Sequence, residues 1–238
     1  MEGIPRPWAL FSAALEGLVL PDNFYPRVEA YLEALSEINR SLNLISFSKK
    51  EDLYGHVADA LQVLRVAPSR PLRLIDVGTG GGLPGVPLAI ARPQWTVTLL
   101  DSLRKKQSAV SLLLESVQVK NALAVWGRAE DLAQGAEHRE TYDGALCRAV
   151  GRLTTVMELT LPFLKIGGSA YLHRGSDGQE EMLKTDHALK LLGGHAGTIF
   201  NYRLPDLEKN RVIICVDKTH QTSIEFPRRA GIPAKKPL

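Results

Sequence analysis

The sequence predicts an α/β protein, a parallel sheet with helices on both faces, preceded by a helical extension. Two rhythms carry that expectation. From Trp8 to about Leu64 apolar residues recur at helical spacing, and from Leu72 onward short continuous apolar runs alternate with helical segments. Strands that are apolar throughout, rather than at alternate positions, are buried on both faces, as in parallel sheets held between helix layers. A third observation marks where such a sheet would work: residues 75–85 read IDVGTGGGLPG, with five glycines in eight positions directly after an apolar run.

The helical extension shows Leu10, Ala14 and Leu18, then Val28, Tyr31, Leu32, Leu35 and Ile38, and later Val57, Ala60, Leu61 and Leu64. Breaks at Leu20-Pro21-Asp22 and around Ser46–Lys50 divide it into three or four helices. Ala67-Pro68-Ser69-Arg70-Pro71 is a linker, because two prolines within five residues cannot continue a helix. Strands are expected at LRLIDV, TVTLLD, NALAVW, YDGALCRA, SAYLHR and RVIICVD. Helices are expected from near Leu83, over RKKQSAVSLLLESV, over 153–164 and over 178–192. The expected organisation is a helical region over 1–66, an α/β domain over 67–218 and a basic, proline-rich tail over 219–238.

With 238 residues, 45% hydrophobic and 23% charged, the chain has the composition of a soluble globular protein, and no apolar run reaches membrane-span length. The N-terminus does not read as a secretory signal: Glu16 interrupts its apolar stretch and Arg6 is its only cation. Cys147 and Cys215 have neither metal-ligand nor disulfide spacing, which fits a reducing cytoplasm and no metal site. The net charge of +3 is unevenly placed, since residues 218–238 hold Lys218, Arg228, Arg229, Lys235 and Lys236 against Glu225 alone. A solvated terminus is the plain reading of that excess; a contact with a polyanion is the sharper one.

In a sheet of this kind ligands bind beyond the carboxyl ends of the strands, where strand order reverses. The first strand ends at Asp76, and Gly78, Gly80 and Gly82 occupy the turn into the first helix. Asp101 ends the second strand, where a carboxylate can accept both hydroxyls of a ribose. Together they point to an adenosine-bearing cofactor. Residues 80–85 match GxGxxG, so an NAD-linked oxidoreductase stays open. A carboxylate two residues before the first glycine would repel a pyrophosphate and attract a cation, which favours S-adenosylmethionine, with its sulfonium and ammonium groups. Glu130, after the third strand, stands where an adenine amino group would be met; a helix N-terminal acid is its plain reading.

The blocks RLIDVGTGGGLPGVPLAI, LLDSLRKK, GRAED and YDGALCRA resemble the bacterial RsmG (GidB) family of 16S ribosomal RNA guanine-N7 methyltransferases. SLNLIS, HVADAL and FPRRAGIPAKKPL extend the resemblance over about residues 25 to 238, most weakly over 175–202. The resemblance implies a Rossmann-like, seven-stranded class I S-adenosylmethionine-dependent methyltransferase core. It further implies that Gly78 and Leu83 line the methionine and adenosine side of the pocket. Asp101, Ser102 and Leu103 would meet ribose and adenine, Ala129 and Glu130 would flank the adenine, and Arg148 would reach the pocket. His173-Arg174 replaces a more typical lysine before glycine, so no role is carried over to Arg174. The implied partner is 16S ribosomal RNA or the small ribosomal subunit. Another RNA, or a ribosome assembly factor without turnover, are the alternatives, and a monomer is expected.

Guanine N7 carries a lone pair and no proton, so methylation there requires positioning and no catalytic base. The chain lacks the (Asn/Asp)-Pro-Pro-aromatic turn of amino-group methyltransferases, having CRAVG instead. Cys147 reads as a small hydrophobe ending a buried strand, although Arg148 beside it could lower its pKa. Arg104, Lys105 and Lys106 open a helix where the macrodipole disfavours cations, which suggests phosphate contact. Arg228, Arg229, Lys235 and Lys236 suggest an extended basic strap along an RNA backbone, independent of the cofactor. His56, Asp59 and Asn43 match family positions and read as core or RNA contacts.

Overall fold

A computed structural model describes residues 5–148, 151–205 and 210–238. The chain opens with a 3₁₀ turn, Arg6–Phe11, and a short helix α1 (Ser12–Leu15), followed by α2 (Phe24–Leu42) and α3 (Asp52–Leu61). Then come β1 (Arg73–Val77), α4 (Gly85–Ala91), β2 (Thr96–Asp101), α5 (Arg104–Ser116), β3 (Ala122–Trp126), α6 (Ala129–Leu132) and β4 (Tyr142–Arg148). The second half holds α7 (Leu153–Thr160), β5 (Leu164–Arg174), α8 (Gly178–Met182), α9 (Asp186–Leu192), β6 (Gly194–Tyr202), β7 (Arg211–Lys218) and α10 (Ile232–Lys235).

The seven strands form one sheet in the order β3-β2-β1-β4-β5-β7-β6. β1 to β5 run parallel, with Asp76 opposite Leu99 and Asp101 opposite Trp126. The order reverses between β1 and β4, so the glycine turn after β1 opens at the switch point. The all-parallel expectation fails at the far edge, where β7 lies antiparallel to both β5 and β6. β7 is buried along its length because it lies between two strands, and its continuous apolar run therefore resembles a parallel strand. β6 has no counterpart among the expected strands. It is an edge strand, with a register shift between Ala196 and Ile199 and only partial burial, so it presents no apolar run to read.

Two smaller differences have local causes. The single helix expected over 178–192 divides into α8 and α9, and Thr185 bends its hydroxyl back to the Met182 carbonyl at the break (2.7 Å). The helix expected over 153–164 ends at Thr160, and Leu164 already belongs to β5. Asn43 caps α2 in the left-handed conformation (φ 48°), a position that favours glycine or asparagine, which accounts for its residue type without any ligand.

The helical extension shares its core with the sheet. Trp8, Phe24, Val28, Tyr31, Leu32 and Leu35, all fully buried, pack in one cluster with Leu74, Leu99 and Leu146 of the strands. Trp8 donates to Glu29 (2.8 Å), which also accepts from Tyr54 (2.9 Å), so the polar edges of the buried rings are satisfied.

Candidate cofactor-binding site

The turn after β1 is built around two carboxylates. Asp76, 1% exposed, accepts the Thr79 hydroxyl (2.7 Å) and the Gly85 amide (2.9 Å) on Oδ2. Its Oδ1 is buried and has no hydrogen-bond partner among the described residues. Burial pushes the Asp76 carboxyl up to about 6, against the opposing pull of those two donors and of Arg148. Asp101 accepts the Gly80 amide (3.1 Å) on one oxygen and the Leu103 amide (2.8 Å) on the other, tying the ends of β1 and β2 together. The amides of Gly78 and Thr79 both point at the Leu100 carbonyl (2.9 and 3.0 Å). Gly78 and Gly80 hold φ of 76° and 58°, which a side chain would strain.

The remaining glycines answer to the protein itself. A Cβ on Gly81 would stand 2.8 Å from Leu35, and one on Gly82 would stand 2.6 Å from Val86. On Gly85 it would collide with Leu99 and come within 2.9 Å of Asp76 Oδ2. Tyr31 of α2 donates its hydroxyl to the Gly81 carbonyl (2.9 Å), and a Cβ on Gly80 would press on the Leu44 carbonyl (3.1 Å). The loop is thus clamped from behind by the helical extension and from below by α4. Gly82, expected to make room for a ligand, makes room for Val86. Tyr31, Leu35 and Leu44 are supporting residues that sequence reasoning did not place at the turn. Tyr31 and Leu35 showed only as apolar periodicity, Leu44 fell outside that pattern, and Gly85 showed as the last glycine of the GxGxxG match.

In front of this loop lies a cavity of about 560 Å³, within the usual range for small-molecule sites. Gly78, Asp101, Ser102, Leu103, Ala129 and Glu130 line it. Leu83 is buried in the turn behind. The opposite wall comes from α7 and, unexpectedly, from the C-terminal segment. The half-exposed Trp126 flanks the site, its indole N–H donated to the Ser102 carbonyl (3.1 Å) and Arg104 over its ring at 5.4 Å.

Arg148 does not line this cavity; its guanidinium turns to His56 Nδ1 (3.2 Å) and Asp59 Oδ2 (3.3 Å). Asp59 also accepts from Tyr202 (2.6 Å) and lies 3.6 Å from Arg211. His173 sits beneath, with Nε2 3.2 Å from the Asp59 carbonyl and Nδ1 without a partner among the described residues. Burial lowers the pKa of both His56 and His173, reinforced by the Arg148 charge. A second cavity of about 350 Å³, lined by Ser46, Phe47, Ser48, His56, Asp59 and Arg211, adjoins this cluster. Arg174 is engaged with Glu181 and the Gly151 carbonyl.

Cys147 is buried, and burial, together with the Asp76 charge, pushes its thiol far up rather than down, so the activation that Arg148 could have provided is absent. The basic tail is no extended strap. Arg228 forms a bidentate pair with Glu158, which is fully buried, and donates to the Lys236 carbonyl (2.8 Å). Lys218, counted with the tail from sequence, is buried at the end of β7 and donates to the Leu161 carbonyl (2.8 Å). Arg229, Lys235 and Lys236 remain exposed, as do Arg104 and Lys105, with Lys106 half-buried.

The residues present fit S-adenosylmethionine. Each Asp101 oxygen keeps a lone pair beyond its amide bond for a ribose hydroxyl. Asp76, which does not itself line the cavity, places a buried carboxylate behind the turn, the charge that suits a cationic ligand. Among solved structures, TYW2 from P. horikoshii in complex with MeSAdo aligns with a TM-score of 0.59 at 16% identity, over 75% of this chain and 67% of that one. TYW2 from M. jannaschii in complex with AdoMet aligns with a TM-score of 0.55 at 12% identity, over 73% and 78%. These likenesses establish the fold, that of class I methyltransferases. Curated relatives named ribosomal RNA small subunit methyltransferase G share far more sequence. The protein from Leuconostoc citreum is 37% identical over 93% of this chain and 94% of its own length, and that from Trichormus variabilis is 38% identical over 91% of each. The family model described as GidB, rRNA small subunit methyltransferase G, matches residues 25–207. With the glycine turn, the two strand-end carboxylates and the sheet order in place, the chain belongs to the rRNA small subunit methyltransferase G (GidB) family.

Proposed function

We propose that the protein transfers the methyl group of S-adenosylmethionine to N7 of a guanine in the 16S RNA of the small ribosomal subunit. The observation that carries this reading is the pair of strand-end carboxylates, Asp76 and Asp101, around a clamped glycine turn in a chain of this family. When bound, the cofactor supplies an electrophilic methyl group on a sulfonium sulfur. The protein's part is to hold and orient. Asp101 grips the ribose, Ser102, Leu103, Ala129 and Glu130 surround the adenine, and Gly78 lets the backbone approach. Asp76 provides negative charge behind the turn, and Arg148 links that charge to the Asp59 cluster. No residue is assigned proton transfer, because N7 has no proton to lose; alignment and exclusion of water supply the rate.

In the division of labour that follows, residues 1–66 brace the turn, 67–218 form the methyltransferase core, and Arg104, Lys105, Lys106, Arg229, Lys235 and Lys236 offer charge to RNA phosphates. A cytoplasmic monomer is the working form in this reading; among the described residues no helix is long and apolar enough to cross a membrane. The test is incubation of methyl-labelled S-adenosylmethionine with small ribosomal subunits, free 16S RNA and tRNA, followed by nuclease digestion. Label in 7-methylguanosine from 16S RNA is expected; label on another base or on tRNA alone overturns the assignment.

The buried thiol provides a second check. Cys147→Ser is expected to keep methyl transfer within about threefold, the loss being one of packing alone. Complete loss in a folded, cofactor-binding variant would implicate a covalent route and contradict N7 attack.

A further inference from the structure

The C-terminal segment was expected to serve RNA and to be dispensable for the cofactor. Its contacts say otherwise. Residues 219–238 are fastened to the body along their whole length. Arg139 donates to the carbonyls of Thr222 (2.7 Å) and Phe226 (2.9 Å), and Gln134 to those of Ile224 (3.1 Å) and Pro227 (3.0 Å). Glu158, fully buried in α7, is paired by the side chain of Arg228 (2.6 Å) and by its backbone amide (2.8 Å). A carboxylate that deep in the protein is costly unless paired, so the helix is built to receive the tail. Farther along, Thr155 donates to the Pro233 carbonyl (2.9 Å) and Glu130 Oε1 accepts the Gly231 amide (2.8 Å).

Two of these anchors belong to the cofactor site. Glu130 and Thr155 both line the cavity of about 560 Å³, and so do Gly231, Ala234, Lys235 and Pro237 of the tail itself. The Gly231 amide occupies one oxygen of Glu130, which leaves Oε2 as the atom a ligand could use. Gly231 sits at φ 82°, a turn that swings α10 over the cavity.

We propose that residues 228–237 are a structural wall of the cofactor pocket, latched by the Arg228–Glu158 pair, and that they set its affinity for the nucleoside. The proposal rests on reading this cavity as the S-adenosylmethionine site. The tail then serves two ends at once: its inner face, with Gly231, Ala234 and Pro237, encloses the cofactor. Of its exposed cations, Lys235 lines the same cavity as Arg128 and Arg152, and Lys236 and Arg229 flank it in the chain. Binding of cofactor and presentation of charge to RNA become one folding event of the tail.

The test uses S-adenosylhomocysteine, without RNA. In the full chain, hydrogen exchange of a peptide covering 229–238 is expected to slow at least fivefold when the ligand is added. A chain lacking 231–238 keeps the Arg228–Glu158 side-chain pair and is expected to bind the ligand at least tenfold more weakly by calorimetry. Gly231→Pro, which removes the amide offered to Glu130 and the left-handed turn, is expected to do the same should the shortened chain not fold. Unchanged exchange in the tail, or affinity within twofold in a folded variant, overturns the proposal while leaving the pocket assignment standing. Absence of any ligand binding by the full chain would instead remove the pocket assignment on which it rests.

Discussion

Asp101→Ala is expected to raise the dissociation constant for S-adenosylhomocysteine on the order of a hundredfold or more. Hydrogen bonds to a charged acceptor contribute about 1.5–3 kcal/mol each, and the carboxylate has a free lone pair on each oxygen for the two ribose hydroxyls. Losing both corresponds to about 3–6 kcal/mol, of which a hundredfold is the lower bound. The variant also orphans the amides of Gly80 and Leu103, which Asp101 accepts at 3.1 and 2.8 Å. The ligand-free protein should therefore lose about 1–2 kcal/mol of stability as the two strand ends separate. Asp101→Asn should fall between, since its amide keeps one acceptor but turns an N–H toward one of the two backbone donors. Calorimetric titration of the three proteins decides the matter, and affinity within threefold of the parent for Asp101→Ala would remove the ribose assignment.

The largest effect on stability is expected from Asp59→Ala. This carboxylate is 2% exposed and faces Arg148, Arg211 and the Tyr202 hydroxyl from three different elements. Breaking a buried ion pair costs about 3–5 kcal/mol because the partner is left uncompensated. Arg211 is 31% exposed and Arg148 only 12%, so water can relieve one guanidinium more than the other and the lower end applies. About 3 kcal/mol in a chain of this size is a fall in Tm of about 6–12 °C. Burial works to raise the Asp59 pKa, but the charges of His173 when protonated, Arg148 and Arg211, with the Tyr202 hydrogen bond, outweigh it and the net shift is downward. A depressed carboxylate contributes its full stability above the unfolded pKa of about 3.9 and loses it as pH falls through the folded value. The difference between parent and variant in urea melts should therefore be present at pH 7 and shrink below about pH 4. A Tm change under 2 °C at pH 7 would show the cluster to be solvated rather than paired.

How much of this was legible in the sequence depends on where each residue finds its partners. β1, β2 and β4 could be read because they lie inside the sheet, buried over most of their length, and so write their apolar character in a continuous run. β3, at the edge, is apolar in sequence although Leu123 and Trp126 are exposed. β6 could not, because an edge strand with a bulge at Ala196 and Ile199 alternates irregularly between core and solvent. The glycine turn was visible, yet half of its meaning was not. Gly81, Gly82 and Gly85 lack side chains because Leu35, Val86, Leu99 and Asp76 stand in the way, and those neighbours are brought in by packing. The tail was misread for a related reason. Proline spacing and charge suggest an extended, solvated segment, whereas its course is set by Glu158 and Glu130, 70 and 101 residues away from their tail partners. A buried acid on α7 looks, in sequence, like any other helical glutamate.

The phenol of Tyr31 spends its one proton on the carbonyl of Gly81. That bond, with the packing of Leu35 and Leu44 on Gly81, joins the leader to the turn without a seam between them. A transplant of the sheet onto another leader, or of the leader onto another sheet, would have to carry Tyr31, Leu35 and Leu44 with it as a matched set. Modularity ends where the leader becomes the floor of the catalyst.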